Sequence, residues 1–184
     1  MATIFRTTLV PGKLELAAGW LVSRPWYRGS GTPDLSKAGG FRLDDPDGEV
    51  GCEFMVVRDA HGTCYHLPVT YRSAPLDGAD EALIGTTEHG VLGRRWVYDG
   101  ADDPLLMTLL AGFLNGEVPS QAQSESDTLD PTALAVLEGG PATPADVEIV
   151  RVLVAGDLPA GRGHVSGSWD DGADTVRGPM VLVH

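Results

Sequence analysis

The sequence predicts an α+β fold: a curved antiparallel β-sheet packed on an N-terminal helix, a second helix after the sheet, and a small C-terminal β region. Three observations carry this. Leu14, Ala17, Ala18 and Leu21 fall at i, i+3, i+4 and i+7, the spacing of an apolar helical face. Residues 41–98 break into short β-rich runs separated by turn residues, the pattern of an antiparallel meander of about five strands. Asp103-Pro104 then opens a run in which Leu106, Leu109, Leu110 and Phe113 repeat at helical spacing.

In chain order, Ile4 to Leu9 alternates and carries threonines, so it reads as a first strand. Pro11 suits a helix start, and the helix runs to Val22 although no good capping residue precedes it. Arg24 stands before Pro25 and is therefore extended. The stretch Gly19 to Gly29 brings Trp20, Trp26 and Tyr27 together beside Arg24 and Arg28. Aromatic residues are only 7% of the chain, so Trp20, Arg24, Trp26 and Tyr27 are expected to form a structural hub.

Ser30 to Gly40 reads as a loop, Phe41 to Leu43 as a short strand, and Asp44 to Glu49 as an acidic turn. That turn lacks the oxygen spacing and distal Glu of a calcium loop. Val50 to Arg58 and Thr63 to Arg72 are the longest strands, joined at Asp59 to Gly62. Ala82 to Thr86 and Arg94 to Tyr98 complete the meander. After the second helix, which Asn115-Gly116 stops, Gln121 to Thr128 could be strand or loop. Asp130-Pro131 predicts a short helix to about Glu138, and Gly139 to Pro144 a linker. Val147 to Val154 reads as a strand, with His164 to Trp169 and Val176 to Val183 forming a smaller sheet or hairpin. The implied division is residues 1–138 as one domain and 139–184 as a β-rich extension packed on it.

Composition limits the partners. A chain of 184 residues can bury a sizeable core without staples. Its net charge of −13, with Lys13 and Lys37 as its two lysines, disfavours nucleic acid and anionic membrane surfaces. No run approaches the ~20 apolar residues of a membrane span, and Met1 to Val10 is too polar for a signal peptide. Hairpin register puts Cys52 roughly 16 Å from Cys64 at strand rise, beyond disulfide reach. Two free thiols suit a cytoplasmic location.

No complete catalytic signature is present, so no catalytic residue, metal set or cofactor is assigned. Gly161 to Gly167 is glycine-rich but lacks the Gly-Lys-Ser/Thr of a phosphate loop, and a surface hairpin explains it better. Cys64 and His66 share a strand face and could begin a metal site, yet a half-buried thiol beside a surface imidazole is the plainer reading. Ser168 lacks the following small residue of a nucleophile elbow. Glu88, His89, Arg94, Arg95 and Trp96 are the candidate ligand-binding residues: guanidiniums and a carboxylate beside an indole are how sites hold sugars. A hairpin tip with ion pairs explains the same residues.

Pro11-Gly12-Lys13-Leu14-Glu15-Leu16, Trp20-Leu21, Arg24 and Trp26-Tyr27-x-Gly29 resemble the start of actinobacterial maltokinases, which carry an N-terminal cap ahead of a kinase-like body. Tyr98-Asp99-Gly100 and Asp102-Asp103-Pro104 are similar to the end of that cap. The likeness extends to short, stand-alone cap-like proteins and fades after about residue 130. It implies a cystatin-like curved sheet around one helix, and a place in trehalose, maltose phosphate and α-glucan metabolism. The chain departs from the kinases where Ser30 replaces lysine, and no catalytic-loop Asp with a downstream Asn follows residue 130.

Three functions follow as expectations. The first is a non-catalytic interaction or regulatory module whose partner is an α-glucan or trehalose pathway enzyme. The alternative is a binder of a sugar or nucleotide through residues 86–96. The third, an unrecognised enzyme, requires a pocket where two of His66, Glu88, His89 and Asp99 converge.

Overall fold

The computed structural model describes residues 8–158 and 160–184. Ile4 to Thr7 of the expected first strand lie outside the described residues; its end is β1 (Leu9–Val10). Helix α1 (Lys13–Leu21) follows, its first turn closed by Glu15 reaching back to the Gly12 amide at 3.4 Å. Then come β2 (Leu35–Asp44), β3 (Gly51–Asp59), β4 (Cys64–Arg72), β5 (Leu83–His89) and β6 (Gly93–Asp99). Helix α2 (Pro104–Leu114) precedes β7 (Ser120–Gln121), β8 (Leu134–Leu137), β9 (Val147–Ile149), β10 (Val152–Leu153), β11 (Gly163–Asp170) and β12 (Thr175–Val183). All the strand pairs are antiparallel, and one sheet takes them in. The architecture is α+β, mostly antiparallel sheet with two helices.

The β3–β4 hairpin lies at its centre. Successive side chains of a strand point to opposite faces. Cys52, Phe54 and Val56 accordingly enter one cluster with α2, while Met55 and Val57 enter another with α1. Tyr65, Leu67 and Val69 of β4 join the α1 cluster, beneath Ala17, Trp20 and Leu21. On the other face Phe41 stacks on Phe54 with ring centroids 4.5 Å apart, and Leu106, Leu110 and Phe113 of α2 close over them. The two helices thus cover opposite faces, and this is why β3 reads as a continuous apolar run rather than an alternating one.

The sheet also returns on itself. The segment 147–153 pairs β12 through Val147–Ile149 and β4 through Val152–Leu153. Between those halves, Val150 N–H donates to Met180 O, and Arg151 O accepts from His66 N–H. The ladder therefore runs from β4 through β3, β2, β11 and β12 and back to β4. His66 fastens the seam. Its Nδ1 faces two carbonyls, Val150 O at 3.2 Å and Met180 O at 3.1 Å, so Nδ1 carries the proton. Burial, reinforced by the Arg151 charge, lowers its pKa to about 3. Pro68, which has no N–H to give, falls where the outer edge of β4 passes from β10 to β6.

Four expectations change. Residues 35–40, read as loop, open β2, because Gly39 lies against β11, where an added Cβ would stand 2.9 Å from Ser168 O. These glycines serve a close approach, not a break. The short helix expected from Pro131 is instead loop and then β8, which pairs β11 from Leu134 to Leu137. Asp130 does take the Thr132 amide at 2.8 Å, but a capped stretch this short cannot outweigh a waiting sheet edge. The strand expected over Val147 to Val154 divides in two at the seam. His66, expected at the surface, is fully buried beneath that segment.

Asp103 joins the second helix to the sheet. It caps the Leu105 amide at 3.0 Å, takes a bidentate pair from Arg72 at 2.7 Å, and accepts from Thr70. Burial alone would push its carboxyl up, but the Arg72 and Thr70 hydrogen bonds win and hold it below the usual carboxylate range. Arg72→Ala strands this buried charge and should cost about 3–5 kcal/mol in urea unfolding. The pH dependence separates the two buried groups. His66 is depressed in the fold, so its contribution is complete above the unfolded histidine value and is lost as pH falls toward 3. The Asp103 contribution is complete above the unfolded carboxylate value and fades only below it. Urea midpoints should therefore fall between pH 7 and pH 5, a window set by histidine titration near its ordinary value, and His66→Gln should flatten that fall.

Candidate functional site

The expected ligand residues occupy the β5–β6 hairpin, whose register sets Glu88 opposite Arg94, Thr87 opposite Arg95 and Thr86 opposite Trp96. Directly paired residues share a face and neighbours alternate. Glu88, Arg94 and Trp96 therefore lie on one face, with His89 and Arg95 on the other. Glu88 and Arg94 form an ion pair at 2.7 Å with both side chains more than half exposed. His89 Nδ1 accepts from the Val91 and Leu92 amides, and Arg95 donates to Leu92 O, so both brace the turn. Partial burial and the charges of Arg95 and Lys13 lower the His89 pKa. The hairpin does not bring the five side chains to one point.

His66 and Asp99, the other groups considered for chemistry, are both buried and far from that tip in the fold. Asp99 holds Arg151 Nη2 at 2.7 Å. Neither of two cavities is lined by any two of His66, Glu88, His89 and Asp99. One is a void of about 10 Å³ between α1 and the sheet, room for a single water at most. The other is an open groove of about 540 Å³ along the 34–36, 59–62 and 171–173 turns. Three of its charged groups are engaged: Arg58 pairs with Asp170 at 2.8 Å, Asp59 takes the His61 and Thr63 amides, and Asp171 takes the Ala173 and Asp174 amides. Among the described residues no cluster of three or more His, Cys, Asp or Glu is placed to hold a metal ion. Cys52 and Cys64 are buried free thiols, and burial, then the Asp103 charge, pushes Cys52 up to about 12. Cys64 lies opposite Arg58, six residues along β3 from Cys52. In the acidic turn, Asp45 takes the Asp47, Glu49 and Val50 amides, so its carboxylate serves the turn itself.

The hub residues do meet. Trp20 and Trp26 pack edge to face with centroids 5.8 Å apart, and Trp26 and Tyr27 both lean on the buried Tyr65, at 6.2 and 5.8 Å. Arg24 lies 4.7 Å over Trp20, and Arg151 lies 5.2 Å over Trp26. The result is an alternating ladder, Arg24–Trp20–Trp26–Arg151, tied to the sheet by Asp99. Arg151 escaped the sequence reading, although a lone arginine inside the apolar run from Val147 to Val154 was the available signal. Also unanticipated is buried Glu53, which gathers Lys13 at 2.6 Å, Tyr71 at 3.0 Å and Gln123 at 2.9 Å, and so locks α1 to β3. The membrane expectation has a structural counterpart only in helices: among the described residues none is long and apolar enough to cross a bilayer.

Residues 20–103 match the family described as the maltokinase N-terminal cap domain. The match begins at the first hub tryptophan and ends on the residue that caps α2. No curated protein matches the chain. If the ladder is a packed element and the hairpin tip a solvated one, their truncations should differ sharply. Trp26→Ala should cost about 2–4 kcal/mol, whereas Arg94→Ala should leave the urea midpoint almost unchanged.

Proposed function

We propose, on the premise that residues 20–103 make this chain a maltokinase N-terminal cap-like domain protein, that it is a non-catalytic interaction and regulatory module of trehalose–maltose–α-glucan metabolism. The family match is the observation that carries the reading. Its partner is then an enzyme of that metabolism, and its location the cytoplasm, in keeping with two buried free thiols.

The chemistry of the chain supports a role by contact. Kinase-type phosphoryl transfer uses a strand lysine to hold the nucleotide phosphates. Lys13 and Lys37 are the two lysines of this chain; Lys13 is spent on Glu53, and Lys37 precedes most of the sheet. The residues beyond 103 enter the same hydrogen-bonded ring as β2 to β4. In this reading residues 1–138 act as the cap-like unit, cystatin-like in its sheet around α1, and 139–184 as a β-rich extension packed on it.

The test is reconstitution with purified maltokinase, trehalose-converting and glucan-forming enzymes. Co-sedimentation with one of them and a rate change of about fivefold are the expected results. Absence of both, across that panel, overturns the reading. Millimolar maltose, trehalose and ATP should leave the melting temperature unmoved. A ligand at a hundredfold its Kd would stabilise the fold by about 2.7 kcal/mol, so a clear upward shift would favour a ligand site instead.

A further inference from the structure

Several cations of the fold are engaged by acids from other elements. Lys13 serves Glu53, Arg72 serves Asp103, Arg58 serves Asp170 and Arg151 serves Asp99. The hub's own Arg24 and Arg28 have no acid partner among the described residues. Between Gly19 and Pro33 the chain has Arg24 and Arg28 and no acidic residue, in a protein of net charge −13. Arg28 is exposed, and its guanidinium has no hydrogen bond or ion pair among the described residues; only its backbone amide is used, by Tyr65 Oη at 3.3 Å. Arg24 spends Nε and Nη2 on the single hydroxyl of Ser23.

The hub also has more donors than acceptors. Trp20 is 7% exposed, and its Nε1 is buried without an acceptor, as is Nη1 of Arg151. The carboxylates bonded to this neighbourhood are committed elsewhere. Asp99 is held by Arg151 Nη2 and the Ala101 amide, and Asp59 accepts from two amides and from Tyr65 Oη. At the surface, what Arg24 and Arg28 lack is an anionic acceptor.

We infer that the hub is a docking surface for an acidic polypeptide segment of a partner protein. This rests on the interaction-module reading and names the surface it would use. Charge complementarity selects the occupant: carboxylates pair with the planar guanidiniums of Arg24 and Arg28, which can donate two parallel hydrogen bonds to one carboxylate. Shape selects a polypeptide over a small anion. Neither of the two cavities is lined by a hub residue. The half-buried faces of Trp26 and Tyr27 instead offer flat apolar area between the arginines. Trp, Tyr and Arg are the residues that anchor protein interfaces. Both rings rest on Tyr65, which is fully buried, so the surface is already rigid before a partner arrives.

The probe is a fluorescein-labelled peptide of repeated Glu-Glu-Leu triplets, followed by anisotropy against the full chain, with a Gln-Gln-Leu peptide as control. Binding of the acidic peptide alone is expected, weakening with salt and falling about tenfold or more in Arg28→Glu and in Arg24→Ala. Arg28→Glu should keep the native melting temperature, since nothing among the described residues holds that side chain. Failure of the acidic peptide to bind, equal binding of the Gln peptide, or full binding by Arg28→Glu overturns the docking surface. So does concentration-dependent self-association that Arg28→Glu abolishes, which would make a second copy the occupant. A pathway-enzyme effect that survives Arg28→Glu sinks the hub but leaves the interaction reading standing. Peptide binding lost in Arg28→Glu, with no effect on any pathway enzyme, supports the surface and removes only the metabolic assignment.

Discussion

The β3–β4 hairpin has no free face and almost no free edge, and the rest of the molecule follows from covering it. Met55, Val57, Tyr65 and Leu67 must be sealed on one side and Cys52, Phe54 and Val56 on the other. Two helices do this, one from each side. The outer edge of β4 is shared between β10 and β6, and the first of these comes from the far end of the chain. A sheet that closes on itself removes the exposed edge that would otherwise invite association. His66 lies at that closure. A neutral imidazole donating to carbonyls of two other segments is a buried polar group with a cross-strand task, not a misplaced surface residue.

The second pattern is the treatment of charge. The chain is strongly acidic, yet several of its acids are interior: Glu53, Asp59, Asp99 and Asp103 are all nearly inaccessible. Burying a carboxylate is tolerable only where hydrogen bonds and an opposite charge replace water. All four accept hydrogen bonds, and three of them also take a cation from another element. Glu53 joins α1 to β3, Asp103 joins β4 to α2, and Asp99 joins β6 to the seam through Arg151. These pairs fix how the elements sit on one another more than they add to net stability. Arg28, exposed beside half-buried aromatic rings, has no such partner among the described residues and stands out chemically.

That contrast separates the two candidate surfaces. At the β5–β6 tip Glu88 pairs with Arg94, Arg95 is turned onto the Leu92 carbonyl, and the candidate groups are divided between the hairpin's faces. At the hub Arg24 stacks on Trp20 and Arg151 on Trp26, while the exposed guanidinium of Arg28 is held by no group among the described residues. The cap-family match opens on Trp20, inside that ladder.

Local chemistry was readable from the residues alone. The helix face at Leu14 to Leu21, the Asp103-Pro104 cap, the turns at 44–49 and 59–62, and the aromatic cluster each depend on neighbours a few positions apart, and composition and periodicity report such neighbours directly. What the residues could not disclose is which distant segment covers which edge. Gly39 looks like a breaker until β11 is laid against it, Pro131 looks like a helix start until a sheet edge is offered to β8, and His66 looks exposed until residues 147–153 cross over it. Arg151 gains its meaning only when Trp26 and Asp99 arrive from elsewhere in the chain. Short-range order is encoded in torsional preference and side-chain spacing; the pairing of remote strands is settled by burial and hydrogen-bond satisfaction summed over the whole fold.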